Sequence, residues 1–175
     1  MNAKKTIISG FLIFTVLALT ILSSCGGNDM RSEKALSNFS KLIEKKNYDD
    51  LSLTIYYISP FILTRAPLSV DDLTSFNNVK KIVISGSDLE KHMDLFEQIN
   101  KDDLIPVKNK SRVNARFYYF LETVEEGKIL DVAMWGNKGS VFINGLEVKG
   151  NDIFYDIVMP FLPSDAVKEF EKYHN

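Results

Sequence analysis

The chain of 175 residues holds one cysteine, one tryptophan, two histidines and five prolines. A single cysteine excludes any internal disulfide, and two histidines far apart leave a zinc site of the usual kind without its ligands. No glycine-rich loop stands between a strand and a helix where it would cradle a phosphate. No block of Lys and Arg is long enough to grip nucleic acid, and the formal charge is −2. Internal repeats and low-complexity tracts are absent. Apolar residues are not scarce: 45% of the chain is hydrophobic, with 12 Phe and 7 Tyr. A chain of this length and composition can bury a core that needs no crosslinks.

Charge is also missing from the front of the chain, and there its absence is informative. After Lys4 and Lys5, the 19 residues from Thr6 to Ser24 carry no ionisable side chain. Their apolar weight lies in Phe11-Leu12-Ile13-Phe14 and Val16-Leu17-Ala18-Leu19. A basic pair, an apolar stretch and a small-residue end form the layout of a secretory signal peptide. The stretch closes with Leu22-Ser23-Ser24-Cys25. An uncleaved membrane anchor is the alternative, since 19 uncharged residues can nearly span a bilayer. Ser9, Gly10, Thr15, Thr20 and the two serines dilute the run, however, and the lone cysteine stands at its end.

Leu22-Ser23-Ser24-Cys25 resembles the lipobox of bacterial lipoprotein signal peptides, where an aliphatic residue and two small ones precede a cysteine. The resemblance covers the first 25 residues. It implies a diacylglyceryl group on the Cys25 sulfur, cleavage just before Cys25, and a membrane partner reached through that lipid. Two acyl chains hold a protein far more firmly than one. Gly26, where the family places Asp for retention in the inner membrane, leaves either the cell membrane or the outer membrane as the location, facing away from the cytoplasm. With 1–24 as signal peptide and 25–30 as lipidated tether, a single domain over 31–175 is expected. Without residues 1–24, which carry two of the 21 basic and none of the 23 acidic residues, the formal charge becomes −4.

The expected fold class is α+β, a mostly antiparallel sheet ending in a C-terminal β-meander and packed with amphipathic helices. Ala35, Leu36, Phe39, Leu42 and Ile43 recur at helical spacing over 31–46. Strands are expected at Leu51–Ser59 and Val79–Ser85. The segment from Phe61 to Asn78 resists a reading beyond a short helical turn at Val70–Phe76. Ser87-Asp88-Leu89-Glu90 matches a capping box opening a helix that runs to Asn100, and 101–106 reads as loop. Turn signals at Glu126-Gly127, Gly136-Asn137-Lys138-Gly139 and Asn144-Gly145 then divide a meander. One face collects Val113, Ala115, Phe117, Tyr119, Leu121, Leu130, Val132, Met134, Val141, Ile143, Leu146 and Val148, and the helix from Ser87 is expected against it. Ser164 is placed to cap a last helix.

The opposite face carries the candidate binding residues Arg116, Tyr118, Trp135 and Phe142, together with Phe120, Asp131 and Ala133. In the favoured register Tyr118 opposes Trp135; a shift of two residues sets Arg116 over Trp135 as a cation–π pair. Aromatic patches of this kind mark binding sites, unless the C-terminal segment 153–170 folds over them as a second core. His92 falls on the apolar stripe of its helix, a packing position, and His174 is the penultimate residue. Glu122, Asp131 and Asn144 are oxygen donors that line up across strands, but solvated carboxylates are the ordinary case, so neither metal nor cofactor is expected. The acid pairs Asp49-Asp50, Asp71-Asp72 and Asp102-Asp103 sit at element ends as caps, and Lys80-Lys81 and Lys108, Lys110 and Arg112 read as wet surface. No catalytic residue stands out. These features favour a non-catalytic envelope lipoprotein that binds a protein or a small-molecule ligand. The alternative is an envelope hydrolase with a carboxylate pair acting on wall polymer or peptide.

Overall fold

The computed structural model describes residues 37–44, 48, 50–107, 111–135 and 140–174. Cys25, the whole front segment and the basic residues Lys108 and Lys110 lie outside them. A helix over 37–44 (α1) comes first, turning Phe39 into the core. The strand β1 (Leu51–Tyr57), the short helix α2 (Val70–Thr74) and the strand β2 (Lys80–Ser85) follow. Two helical turns, α3 (Ser87–Glu90) and α4 (Met93–Phe96), and a 3-10 turn at Lys101–Leu104 lead into the meander β3 (Phe117–Thr123), β4 (Gly127–Met134), β5 (Val141–Ile143) and β6 (Leu146–Val148). The chain ends with α5 (Ile153–Asp156), a 3-10 turn at Met159–Phe161 and α6 (Ser164–His174).

All six strands form one antiparallel sheet in the order β2-β1-β3-β4-β5-β6. The fold is therefore α+β, as the pattern of elements implies. Asn144 and Gly145 both have positive φ, at 50° and 79°, the pairing that a two-residue hairpin between twisted strands requires. The first sheet face holds the main core. Phe117, Tyr119, Leu121, Leu130, Val132, Met134, Val141 and Ile143 meet Leu89, Met93 and Phe96 there. Each such side chain, taken fully out of water, contributes roughly 1.5–3 kcal/mol.

Several expectations change on this scaffold. The C-terminal segment does not cover the second face: Phe154, Ile157, Val158, Leu162, Ala166 and Phe170 join the main core on the first. Tyr119 supports that docking by donating its hydroxyl to the Phe154 carbonyl at 2.8 Å. The helix from Ser87 breaks at Lys91-His92 into α3 and α4, and its capping box does not form, because Gly86, with φ +60°, takes the cap position. Capping boxes form instead at Ser69/Asp72 and Asn100/Asp103. His92 packs edge-on against Phe161, ring centres 5.0 Å apart. Residues 105–107 are not free loop, since they pair with β6 through Val107 N to Glu147 O and Lys149 N to Ile105 O.

Two irregularities shift the faces of the meander. Its first strand begins at Phe117, after a bend at Arg116, so Ala115 and Val113 pack on the second face rather than the first. Between β3 and β4 the pairing steps from Leu121↔Leu130 to Glu122↔Lys128, leaving Ile129 as the extra residue of a bulge. That residue turns inward and is buried in the main core.

Candidate functional site

Cross-strand pairing lays out the second face in rows. One row runs Lys81, Tyr56, Tyr118, Ala133, Phe142 and Glu147 from β2 to β6. The next runs Val83, Thr54, Phe120 and Asp131. The register is the one shifted by two from the favoured reading: Tyr118 opposes Ala133, not Trp135, and Phe120 opposes Asp131. Phe142 flanks Ala133 as expected.

The shift brings Arg116 to Trp135, its guanidinium carbon 4.4 Å from the ring centre. Tyr173 from the last turn of α6 stacks on the same indole at 6.2 Å, with 14° between the planes. Arg116 is only 1% exposed, yet its hydrogen-bond partners among the described residues are all neutral. Nε donates to Ile62 O at 3.3 Å, Nη1 to Asn114 Oδ1 at 2.9 Å and Ala115 O at 3.1 Å, and Nη2 to Thr64 Oγ1 at 2.8 Å. Burial pulls this guanidinium below its ordinary pKa, while the nearby Tyr173 phenol acts the other way. The side chain works as a clamp that fastens the 62–64 segment to the sheet.

That segment belongs to a cover. Ile58, Leu68 and Leu73, with Ile62, Val70, Phe76 and Val79, lie over Ala115, Tyr118, Ala133 and Phe142 as a second, smaller core. Of the four residues singled out from the sequence, Arg116 (1% exposed), Tyr118 (3%) and Phe142 (6%) lie under it, and Trp135 is half-buried at its margin. The cover is built from 58–79, the stretch whose apolar residues follow neither a helical nor a strand period.

What remains open on this face lies toward β2. Tyr56 and Phe120 are half-buried, and Lys81, Val83 and Lys128 are exposed. Lys81 Nζ stands 5.3 Å over the Tyr56 ring. Lys128 Nζ sits 4.6 Å over Phe120 and donates to the Tyr118 hydroxyl at 2.7 Å. Tyr56 stacks on Tyr118 at 6.3 Å. Burial pushes the Tyr118 phenol well up, and the Asp131 charge adds to the effect, so it accepts from Lys128 as a neutral group. Burial likewise raises the Asp131 carboxyl, against the pull of Lys128 and of the Asn144 amide. The result is a strip of ring faces crowned by two cations. Such a strip can hold flat or anionic groups; it offers no paired nucleophile and base.

The sequence-level oxygen donors do not assemble. The Asn144 oxygen is turned to the backbone of the neighbouring strand β4, where Oδ1 accepts from Asp131 N at 2.8 Å. Among the described residues, no group of three or more His, Cys, Asp and Glu is placed to hold a metal. Asp72 and Asp103 are engaged in capping boxes, and Asp103 is also bonded to Asn151. A pocket of about 150 Å³ is lined in part by Lys41, Asp50, Glu125 and Glu126. These acids are exposed, whereas a general acid needs a carboxyl in an apolar setting. No helix of the described residues is long and apolar enough to cross a membrane. Compared with protein-family models, curated proteins and solved structures, the chain shows no match.

Proposed function

We propose that this chain is a lipoprotein of a bacterial cell envelope, anchored through Cys25, whose α+β domain binds an envelope protein or a small ligand and catalyses no reaction. The observation that carries the reading is the sequence Leu22-Ser23-Ser24-Cys25 behind a basic pair and an uncharged run, with the only cysteine of the chain at the point of lipid attachment. The binding strip is Lys81, Tyr56, Phe120 and Lys128, not the covered set Arg116, Tyr118 and Phe142. Two cations over two rings suit a partner that presents carboxylates or phosphates beside apolar or flat groups.

Cell fractionation of wild type and Cys25→Ser tests the anchor. Wild type partitions with membranes, and the variant is released or accumulates as an uncut precursor. A wild-type protein found free in the cytoplasm overturns the reading. Lys128→Glu and Phe120→Ala test the strip: each should abolish retention of the envelope component that wild type holds while leaving the thermal melt within a few degrees.

A further inference from the structure

The two edges of the sheet are finished differently. At β6, residues 105–107 lie along the edge and close it, with Pro106 bridged to Val148. At β2 nothing does. Among the described residues its one ladder is with β1. Which backbone groups face outward follows from the alternation of the ladder. Ile58 N donates to Arg116 O, so in β1 the amides of Tyr56, Thr54 and Ser52 point to β3, and those of Tyr57, Ile55 and Leu53 point to β2. Their partners Lys80, Ile82 and Ile84 therefore spend their groups inside the sheet. The N–H and C=O groups of Lys81, Val83 and Ser85 point out from the edge, with no partner among the described residues. Val83, in the middle of this edge, is 59% exposed, an unusual place for a large aliphatic side chain.

We propose that β2 pairs with β2 of a second copy of this chain, antiparallel, with Val83 on the two-fold axis. Parity selects the register. Outward-pointing residues must face outward-pointing residues, so odd positions meet odd positions. Placing Val83 opposite Val83 sets Lys81 opposite Ser85 and Ile82 opposite Ile84, and all three outward residues of each copy exchange bonds. Moving the pair by two residues, to Lys81 opposite Val83, leaves Ser85 facing Val79, whose amide is already given to Phe76 O. Moving it two further sets Lys81 against Lys81. Lysine on a bare edge is one device by which sheets repel neighbours. Here it repels the register that sets Lys81 against Lys81 and is matched by a serine in the proposed one. Because the other edge is closed, pairing stops at two copies instead of running into a filament. The two strips of Lys81, Tyr56, Phe120 and Lys128 then lie on one continuous sheet, side by side.

Single-cysteine cross-linking of the purified full-length chain with a short bis-thiol reagent tests the proposal, wild type serving as the control for Cys25. Val83→Cys should give a covalent dimer far above the wild-type level, and Lys81→Cys should not. Lys81→Cys/Ser85→Cys together should restore it. Light scattering at high protein concentration should show a dimer for wild type and a monomer for Val83→Lys, with unchanged melting temperature. Absence of the Val83→Cys dimer, equal cross-linking by Lys81→Cys alone, or a dimer that survives Val83→Lys each overturns it. So does a Val83→Cys adduct with a different protein on intact membranes, which would hand the edge to another partner's strand.

Discussion

Replacing Arg116 is the sharpest test of how the second face is held shut. The side chain is buried, forms four hydrogen bonds to neutral acceptors and lies 4.4 Å over Trp135. Bonds from a charged donor contribute roughly 1.5–3 kcal/mol each, and a desolvated cation over a ring about 2 kcal/mol. The four bonds share one side chain, and the acceptors rehydrate in part once it is gone, so the terms overlap. A loss of about 4 kcal/mol is expected for Arg116→Ala, at the upper end of single substitutions. Arg116→Lys keeps the cation but gives up the flat stack and the fork, and should lose about 2 kcal/mol. For a domain of this size, 4 kcal/mol lowers the melting temperature by about 10 °C. Urea unfolding followed by fluorescence is well suited, because Trp135 is the only tryptophan. Emission from the folded Arg116→Ala variant should also shift, since its indole loses the guanidinium. A stability within about 1 kcal/mol of wild type, or an unaltered folded-state emission, would refute the clamp.

Leu73, fully buried in α2, anchors the cover, and Leu73→Ala should cost about 2–4 kcal/mol. Hydrogen exchange should then show 58–79 losing protection before the main core; uniform loss would mean that the cover is not a separable layer. Asp131 supplies a pH signature. Burial raises its folded carboxyl above the ordinary value, so the stability linked to its protonated form is present below the unfolded pKa and is lost as pH rises through the folded one. Asp131→Asn should accordingly melt higher than wild type near neutral pH and match it in acid. A variant that melts lower at neutral pH would show that the Lys128 attraction outweighs desolvation.

The meander was readable because its strands alternate and its last hairpin turns on Asn144-Gly145. Alternation reports a one-residue slip, which would exchange the faces, but a two-residue slip preserves them. Alternation alone therefore admits Tyr118 opposite Trp135, whereas the structure sets Arg116 there and Tyr118 opposite Ala133. The bend at Arg116 and the bulged Ile129 were invisible for a related reason: each adds a residue that no period marks. The cover was unreadable because Ile58, Ile62, Leu68 and Phe76 fill a surface from irregular backbone on either side of the single short helix that carries Leu73, held by side-chain bonds such as Leu68 N to Asn114 Oδ1. The apolar stripe of the C-terminal segment said that it must be buried, without saying against which face. The open strip was within reach: Lys81, Tyr56, Phe120 and Lys128 each stood in recognised strands or turns, and only the order β2-β1-β3-β4 was needed to bring them together.

Intact-mass spectrometry of the protein isolated from its own cells bears most directly on the envelope reading. The expected species begins at Cys25 and carries the added mass of a diacylglyceryl group on its sulfur. A species that begins at Met1 with an unmodified thiol would contradict the anchor, and with it the placement of the domain outside the cytoplasm.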